Sequence, residues 1–392
     1  MNRRICVVTG SRAEYGLLNR LIRMIADSPL TELKLVATNM HLSPLFGETY
    51  KEIEADGFTI DKKVPILEDT APDNSEATLK AMSKAIAGMS DAFSELKPDL
   101  VLILGDRYEI LSAAIAAMIH KIPIAHIGGG NVTEGAYDDA IRHSITKMSH
   151  LHFVSTDVYL RRVIQLGELP ERVFNVGSIG IENILRSPLM SVDELEASLN
   201  FKVDRSTLLV TYHPVTLSAD NVEKDIDAFL SVLDERKDLR IIFTMPNSDT
   251  GGHIIMEKIN QFVQEHSDRA CAFKSLGYKR YLSTMKYAGA VVGNSSSGVV
   301  EAPSFHIPTL DIGDRQKGRI AADSVYHCTP DAESIRAGLS YIFSDEFQEV
   351  VKNSQNPYEK PDIVKSIFDV ISTYPLEGII KKPFYNLPGW NA

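Results

Sequence analysis

The sequence predicts an α/β protein with two Rossmann-like domains, each built on a parallel sheet, around an interdomain cleft. Short apolar stretches alternate with longer amphipathic ones, which is the pattern of a doubly wound sheet with right-handed crossovers. One stretch, Leu100–Leu104, is apolar throughout, as expected for a parallel strand that is covered on both faces. The alternation stops near residues 177–190 and then starts again, which indicates two domains in series.

The first domain is predicted to repeat a unit of strand, polar turn and amphipathic helix. Its strands are expected over Ile5–Thr9, Leu33–Thr38, Leu100–Leu104 and Pro123–Ile127. Its helices are expected over Glu14–Ala26, Phe46–Asp56, Glu76–Glu95 and Tyr108–His120. Pro98 follows the third of these helices, and a proline disfavours helical geometry in the residue before it.

The second domain is predicted to repeat the same unit. Its strands are expected over Thr207–Tyr212, Arg240–Thr244, Ala270–Phe273, Gly289–Gly293 and Pro308–Ile312. The fourth strand leads into a polar turn, Asn294–Gly298, and a short helix from Val299. Residues 381–392 are rich in proline, glycine and aromatic side chains, and we expect irregular structure there.

Composition and charge exclude several classes of protein. The 392 residues suit two domains, and the formal net charge of −11 argues against broad nucleic-acid binding, which needs a basic face. No apolar run reaches the roughly 18 residues that span a bilayer, and the N-terminus resembles a first buried strand more than a signal peptide. The three cysteines are widely spaced and form no disulfide framework or metal-ligand pair. We therefore expect a cytoplasmic protein with reduced thiols and no bound metal.

Polar clusters follow seven of the predicted strands, each at the point where the strand ends. They are Gly10–Arg12, Gly105–Arg107, Gly128–Asp139, His213–Pro214, Pro246–Asn247, Asn294–Gly298 and Gly313–Arg319. Ligands of open α/β sheets bind at the carboxyl ends of the strands. Together these clusters predict an active site between the two domains.

The stretch Val291–Arg319 carries the residues of a predicted phosphate site. Ser295, Ser296 and Ser297 stand at a strand-to-helix junction, where hydroxyls cap helical N–H groups and the helix dipole favours an anion. Arg315 and Arg319 follow the next strand and carry planar donors suited to phosphate oxygens. Glu301, one turn inside the predicted helix, suits the paired hydroxyls of a ribose. An ordinary capped helix is the alternative interpretation of the serines.

Carboxylates and histidines elsewhere in the chain suggest proton transfer. Asp106 and Arg107 follow a buried strand, and Asp138 and Asp139 begin an apparent helix. Carboxylates crowded in one pocket acquire raised pKa values, which suits them to acid and base catalysis. His213 ends a strand of the second domain, and its near-neutral pKa suits proton transfer or a leaving diphosphate. A structural Asp–Arg pair and ordinary acidic helix starts are the alternatives.

Several familiar sites are missing from the sequence. There is no P-loop, and the first turn, TGSRAEYG, departs from the Gly-x-Gly-x-x-Gly pattern. There is also no Gly-x-Ser-x-Gly elbow and no His-Glu-x-x-His metal motif. These absences argue against common nucleotide-hydrolysing, esterase and metalloprotease mechanisms.

Six stretches of the chain resemble the hydrolysing UDP-N-acetylglucosamine 2-epimerases of sialic acid biosynthesis. In family order they are VTGSRAEYG, LGDRYEI, HIGGG…YDDAIRHSITK, YHPVTLS, GNSSSGVVEAPS and IGDRQKGR. The resemblance implies a glycosyltransferase-B type fold, no redox cofactor, a UDP-linked sugar as substrate, and a dimer or tetramer. It also implies that the last helix returns to the first domain, so that the domains are residues 1–177 with 362–392, and residues 178–361.

The same resemblance assigns roles to individual residues. Proton transfer on the sugar falls to Asp106 and Asp138, with Asp139, and substrate contact to Arg107 and His213. The remaining residues belong to the nucleotide: Arg12, Ser295, Ser296 and Arg315 near the phosphates, Glu301 at the ribose, and Asn247 beside the UDP. The implied reaction is an anti-elimination of UDP to a 2-acetamidoglucal, followed by addition of water at C1 and return of a proton to C2 on the opposite face.

One position departs from the family pattern. The glycine loop of the family commonly reads His-x-x-Gly-Gly-Glu, whereas here Asn131 stands in place of the glutamate. Asparagine exchanges no proton at neutral pH. Either that glutamate is dispensable, or Glu134 replaces it, or the substrate differs, for example UDP-2,4-diacetamido-2,4,6-trideoxyglucose or a GDP-linked sugar of the legionaminic acid branch.

Three other functions remain open on the sequence. A non-hydrolysing 2-epimerase would add the diphosphate back to the same intermediate. A glycosyltransferase of the same fold would need an acceptor and gives no reason for the carboxylates. A nucleotide-sugar sensor would bind UDP without turnover, and the loss of the family glutamate at Asn131 is the observation that favours it.

Overall fold

The computed structural model describes residues 2–68, 74–132, 138–214, 222–246, 252–274 and 276–389. The chain divides into two compact units, the first formed by Met1–Asn183 with Lys360–Ala392 and the second by Ile184–Glu359. The first of the two boundaries falls within one short helix, and the second lies between two helices. Each unit contains its own sheet.

The first unit consists of a parallel sheet and the helices that connect its strands. Its strands are β1 (Arg3–Thr9), β2 (Thr31–Thr38), β3 (Lys62–Val64), β4 (Leu100–Leu104), β5 (Ile124–Ile127), β6 (Leu151–Val154) and β7 (Val173–Asn175). Its helices are α1 (Arg12–Asp27), α2 (Tyr50–Ala55), α3 (Ser75–Leu96), α4 (Tyr108–Ile119), α5 (Asp138–Met148), α6 (Asp157–Gln165) and α7 (Ile179–Arg186).

The sheet of the first unit has the order β3-β2-β1-β4-β5-β6-β7, with every neighbouring pair parallel. The order reverses between β1 and β4, and ligands of such sheets bind at this switch point. On one face, α3 and α4 pack their alanines and Met89 against the apolar side chains of β1 and β4. The polar clusters that follow β1, β4 and β5 therefore lie along one edge of a buried sheet.

The second unit repeats this plan. Its strands are β8 (Thr207–Thr211), β9 (Arg240–Thr244), β10 (Ala270–Phe273), β11 (Ala290–Gly293), β12 (Thr309–Ile312) and β13 (Val325–Cys328). Its helices are α8 (Val192–Leu199), α9 (Val222–Glu235), α10 (Gly252–Glu265), α11 (Gly277–Tyr287), α12 (Ser296–Val300), α13 (Ala332–Ile342) and α14 (Asp345–Asn353). One further helix, α15 (Ile363–Thr373), follows and belongs to the first unit.

The second sheet has the order β10-β9-β8-β11-β12-β13, again parallel throughout. Its switch point lies between β8 and β11. Apolar clusters cover both faces of the sheet, with Phe229 and Phe243 in one cluster and Leu209 and Met285 in the other. The two parallel sheets confirm the predicted fold class.

Two predicted helices differ from the structure. The helix predicted over 46–56 is interrupted because Gly47 and Glu48 have φ angles of 84° and 49°. Only α2 and a 3-10 turn, Pro44–Phe46, form there. In the second unit, α12 begins at Ser296 rather than at Val299, because the Ser295 hydroxyl caps it. The helix is over before Pro303, so Glu301 lies at its C-cap and not one turn inside it.

The last described residues and the three cysteines have no unusual structural features. Residues 381–389 form no helix or strand. The three cysteines are free thiols, and Cys6 is buried. No helix in the described ranges combines the length and apolarity that crossing a bilayer requires.

Candidate active site

The predicted site residues fall into two groups, one in each unit. The first group lies at the carboxyl ends of β1, β4 and β5, and the second at the ends of β8, β11 and β12. Two predicted residues, Glu134 and Asn247, lie outside the described residues. The groups are described separately below.

Arg142 is the centre of the first group. Its Nε donates to Asp106 Oδ2 at 2.7 Å, and its Nη2 donates to the same oxygen. Its Nη1 donates to Asp139 Oδ1 at 3.1 Å and to the carbonyl oxygen of Asn131 at 3.0 Å. The Arg142 side chain is only 5% exposed, against 28% for Asp106. One buried guanidinium thus joins the end of β4, the first turn of α5 and the glycine loop.

The surroundings of Asp138 shift its pKa. It is half-buried at the start of α5. Burial raises its pKa, the negative charge of Asp106 raises it further, and Arg142 and Arg107 oppose the shift. A carboxyl group with a raised pKa holds a proton closer to neutral pH, which is the property of a general acid.

Two histidines support this group. His126 is fully buried, and its Nε2 lies 2.9 Å from the carbonyl oxygen of Gly105. A carbonyl oxygen only accepts, so Nε2 carries the hydrogen, and burial lowers the His126 pKa to about 3. His143 Nε2 lies 3.4 Å from Asp139 Oδ2, and burial lowers the His143 pKa as well. Both rings are neutral at pH 7 and hold the backbone and carboxylates in place.

The two predicted arginines of this unit lie at the same edge in different settings. Arg107 Nε donates to Glu109 Oε1 at 2.6 Å, and its side chain remains 42% exposed. Arg12 is the first residue of α1, and its exposed side chain lies 3.1 Å from Glu52 Oε2. Exposed pairs of this kind are weak.

Asn294 is the centre of the second group. The backbone N–H of His213 donates to Asn294 Oδ1 at 2.7 Å, and Asn294 Nδ2 donates to the His213 carbonyl at 2.8 Å. The backbone carbonyl of Asn294 accepts from Arg315 Nη1 at 3.2 Å and from Gln316 Nε2 at 2.9 Å. Asn294 is fully buried. It links the ends of β8 and β11 with the turn after β12.

The serines form a small hydroxyl network at the start of α12. Ser295 Oγ accepts from the Ser297 N–H at 3.4 Å, and the Tyr281 hydroxyl is hydrogen-bonded to Ser297 Oγ. Ser296 is half-buried as the first residue of α12. Tyr281 thus holds the serine turn in place. Like Arg142 and Asn294, it was not identified as a site residue from the sequence.

Glu301 is a carboxyl group of the second unit with a strongly raised pKa. Burial raises its pKa to about 7. The pKa of Tyr281 is raised to about 12, mainly by burial and next by the charge of Glu301. Glu301 therefore stands near Tyr281, on the same side of the unit as the serine turn.

Sequence reasoning missed Arg142, Asn294 and Tyr281 because their roles depend on distant partners. A signal was available for Arg142 alone: it stands three residues after Asp139 on a predicted helix, a spacing at which opposite charges pair. Among the described residues, no three His, Cys, Asp or Glu side chains are grouped so as to bind a metal ion.

Comparison with known proteins identifies the family. The family model described as UDP-N-acetylglucosamine 2-epimerase matches residues 23–372. The chain belongs to the UDP-N-acetylglucosamine 2-epimerase family. This membership confirms the resemblance of the sequence motifs.

Two members of the epimerase family are similar along most of the chain. A GDP/UDP-N,N'-diacetylbacillosamine 2-epimerase (hydrolyzing) from Campylobacter jejuni subsp. jejuni serotype O:2 is 47% identical over 82% of this chain and 83% of the relative. Polysialic acid biosynthesis protein P7 from Escherichia coli is 41% identical over 98% of both chains.

A solved structure has the same fold. UDP-GlcNAc 2-epimerase from Neisseria meningitidis bound to UDP-GlcNAc superposes with a TM-score of 0.78. The match covers 94% of this chain and 99% of that one, at 18% identity. At this identity the likeness shows the fold alone, and the fold is that of the epimerases.

Proposed function

We propose that this protein is a hydrolysing 2-epimerase. It converts a UDP- or GDP-linked 2-acetamido sugar into the free sugar, inverted at C2, and the nucleoside diphosphate. The observation that carries the proposal is the carboxylate group Asp106, Asp138 and Asp139 gathered around Arg142. The name of the 47% identical Campylobacter relative supports the hydrolysing outcome.

The first unit supplies proton transfer in this proposal. A carboxylate removes the C2 proton while the bond from C1 to the diphosphate oxygen breaks, which leaves a double bond between C1 and C2. Water then adds at C1, and a carboxylic acid returns a proton to C2 on the opposite face. Two proton-transfer groups are needed. Asp138, whose pKa is raised, and Asp106 are assigned to these steps, with Asp139 and Glu134 as further candidates.

The second unit supplies the nucleotide contacts. Arg315 and His213 are assigned to the leaving diphosphate, whose developing charge needs cationic and N–H donors. Ser295 and Ser296 are assigned to phosphate oxygens, Glu301 to the ribose hydroxyls, and Asn247 to the UDP side. The hydrogen bonds of Asn294 to His213 and Arg315 support this grouping. From the first unit, Arg12 and Arg107 are assigned to the phosphates and the substrate.

Two sugars are candidates for the substrate. The name of the Campylobacter relative favours a nucleotide-linked N,N'-diacetylbacillosamine. The family description favours UDP-N-acetylglucosamine, and the polysialic acid relative, matched over 98% of both chains, fits an N-acetylmannosamine product. The two sugars differ at C4 and C6, whereas the elimination takes place at C1 and C2, so the same carboxylates serve both.

The decisive experiment is proton NMR in D2O with purified protein and, in parallel, UDP-N-acetylglucosamine and UDP-N,N'-diacetylbacillosamine. A free 2-epimerised sugar with deuterium at C2, released together with UDP, is the expected result for one of them. A UDP-linked epimer instead would indicate the non-hydrolysing reaction. Absence of turnover with both, and with the GDP-linked sugars, would contradict the proposal and leave a sensor.

The same assay tests the carboxylates. Asp106→Asn and Asp138→Asn should each abolish turnover while UDP binding, followed by calorimetry, stays close to that of wild type. Wild-type rates in both variants would remove these residues from the mechanism.

We further expect a cytoplasmic dimer or tetramer, and light scattering after size exclusion would reveal a monomer if that expectation is wrong.

A further inference from the structure

A second pair of carboxyl groups lies in the first unit, on α1 and α4. Glu14 is 6% exposed, and Glu109 is fully buried. Both contact Gly10, which follows β1. The Gly10 N–H donates to Glu14 Oε2 at 2.7 Å, and a Cβ placed on Gly10 would lie 2.6 Å from Glu109 Oε1. Both carboxyl groups therefore lie beside Gly10, next to the switch point between β1 and β4.

Each of these carboxyl groups has one oxygen without a partner. Within the part of the chain that the structure describes, Glu14 Oε1 and Glu109 Oε2 are buried and make no hydrogen bond. The other oxygen of Glu14 accepts from the Gly10 N–H, and the other oxygen of Glu109 accepts from Arg107 Nε at 2.6 Å. Two ionised carboxylates would thus leave two buried acceptors facing no donor, which is costly.

The surrounding charges do not compensate two carboxylates. The charged groups that act on Glu14 are Glu109 and Arg107, and those that act on Arg107 are Glu109, Glu14 and the Tyr108 hydroxyl. His41 lies nearby, with Nε2 3.1 Å from Thr9 Oγ1, and burial lowers its pKa to about 4, so it is neutral. One guanidinium therefore faces two buried carboxyl groups.

We propose that Glu14 and Glu109 share one proton at neutral pH and, as a singly charged pair, position Arg107 beside the Asp106 and Asp138 carboxylates. One carboxylic acid then donates its O–H to the unpartnered oxygen of the other. Glu14 and Glu109 are positioning residues, because they touch Arg107 and not the reacting atoms. The role of Arg107 in turnover rests on the proposed function, whereas the shared proton does not.

The electrostatics agree with this arrangement. Burial raises the pKa of Glu14 to about 8, and the charge of Glu109 contributes to the rise. The charge of Arg107 in turn opposes the rise in the pKa of Asp138 that burial and Asp106 cause. Loss of the shared proton above pH 8 leaves Arg107 facing two carboxylates, so we expect activity to fall on the basic side as Arg107 is drawn toward the pair.

Infrared spectroscopy and titration of the folded protein test the shared proton directly. At pH 6.5 the wild type should show the C=O stretch of a protonated carboxylic acid that both Glu14→Gln and Glu109→Gln lack, because the amide N–H of either glutamine replaces the O–H. Between pH 6.5 and 9.5 the wild type should release one proton per chain more than Glu14→Gln. Superimposable titration curves and identical spectra would overturn the proposal.

Turnover tests the positioning role. Glu109→Gln keeps an acceptor for Arg107 and a donor for Glu14, whereas Glu109→Ala keeps neither. The alanine variant should lose about a hundredfold more kcat than the glutamine variant, the scale expected for misplacement of a group by about 1 Å. The fall in kcat/KM near pH 8 should be absent from Glu109→Gln.

Equal kcat losses in the two Glu109 variants, with circular dichroism like that of wild type, would contradict the positioning role. If the wild type turned over neither candidate sugar, the proposed function would fail. The infrared and titration results would still decide whether the carboxyl pair holds its proton.

Discussion

At the scale of single residues, buried polar side chains hold the candidate catalytic groups in place. Arg142 and Asn294 each join segments that are far apart in the chain, with partners 36 and 81 residues away. Neither is itself assigned to the reacting atoms. Their contribution is to fix geometry, and small errors in geometry cost large factors in rate.

Replacing Arg142 by lysine should separate its hydrogen bonds from its charge. Lysine keeps one positive charge but lacks the planar fork that reaches Asp106, Asp139 and the Asn131 carbonyl together. We expect kcat to fall about a hundredfold with UDP affinity nearly unchanged, as measured by steady-state kinetics and calorimetry. Arg161→Lys, at an exposed arginine on α6, is the matched control. Activity like that of the control would show that charge alone suffices at Arg142.

Removal of the Asn294 side chain should affect the second unit in two ways. Asn294→Ala removes the two hydrogen bonds that this side chain makes with the His213 N–H and with the His213 carbonyl. Removing one partner of a buried hydrogen bond costs about 1–3 kcal/mol of stability. We expect a lower Tm and weaker UDP binding, measured by calorimetry. Asn260→Ala, at an exposed position on α10, should change neither. If the variant bound UDP with the affinity of wild type, Asn294 would have no part in nucleotide binding.

Glu301 should make UDP binding depend on pH. Burial raises its pKa to about 7 in the free protein, from an ordinary 4.5. Ribose hydroxyls donate best to the ionised form, so affinity should rise between pH 6 and 8 and binding at pH 7 should release protons. Calorimetry in buffers of different ionisation enthalpy measures the release. Glu301→Gln should abolish it, and proton release unchanged in that variant would exclude Glu301.

The same raised pKa has a consequence for stability with a definite sign. The folded chain holds the Glu301 proton more tightly than the unfolded chain, so this group stabilises the fold fully below pH 4.5. That contribution is lost as the pH rises through about 7. The urea midpoint of Glu301→Gln should therefore fall less than that of wild type from pH 5 to pH 8.

At the scale of elements, the C-terminal segment returns to the first unit and is attached there by specific polar contacts. Helix α15 packs on α1, and the N–H of Val364 donates to Glu182 Oε2 at 2.8 Å. Farther on, Lys382 Nζ donates to the carbonyl oxygens of Lys147 and Ser149 at 2.6 and 2.7 Å, and to buried Glu168 at 3.0 Å. The segment around Lys382 is thus attached to this unit although it forms no helix or strand.

The charge of Glu168 depends on these contacts. Burial alone would raise its pKa, but hydrogen bonds from His152, Lys147 and Lys382 outweigh burial and lower it to about 2. A carboxyl group with a lowered pKa stabilises the fold above its ordinary 4.5, and this contribution is lost as the pH falls toward 2.

Removing the ammonium group of Lys382 should therefore destabilise the first unit. Lys382→Ala leaves two carbonyl oxygens unsatisfied and weakens a buried ion pair, which costs about 2–4 kcal/mol. The urea unfolding midpoint should fall accordingly, while UDP affinity stays that of wild type. Lys381→Ala changes the neighbouring exposed lysine and should have no such effect. Equal midpoints for the two variants would mean that the tail contributes no stability.

The accuracy of the predicted elements follows from their composition. Leu100–Leu104, Arg240–Thr244 and Ala270–Phe273 have the predicted bounds, because apolar and β-branched runs end abruptly at polar turns. The helix expected over 46–56 was wrong because positive φ angles at Gly47 and Glu48 interrupt it. Four strands, β3, β6, β7 and β13, were not predicted, since runs of three or four residues are too short to show a clear periodicity.

At the scale of the whole molecule, the two units share one strand order, and each offers its own candidate ligand site. Each sheet reverses its order beside its first strand, between β1 and β4 and between β8 and β11, and each switch point is a natural ligand site. The carboxylates belong to the first unit, and the serines, Glu301 and Arg315 to the second. The proposed division between proton transfer and nucleotide binding follows this duplication.

The sequence by itself determined the fold class, the family, and the residues that end the strands at each switch point. These depend on local composition and on parallel strand direction, both of which are legible along a single chain. Only the tertiary structure decided which groups lie together: Arg142 with Asp106, Asn294 with His213, and both Glu14 and Glu109 beside Gly10. Such partners lie far apart in sequence, and their choice depends on how neighbouring strands and helices stack, which no local pattern encodes.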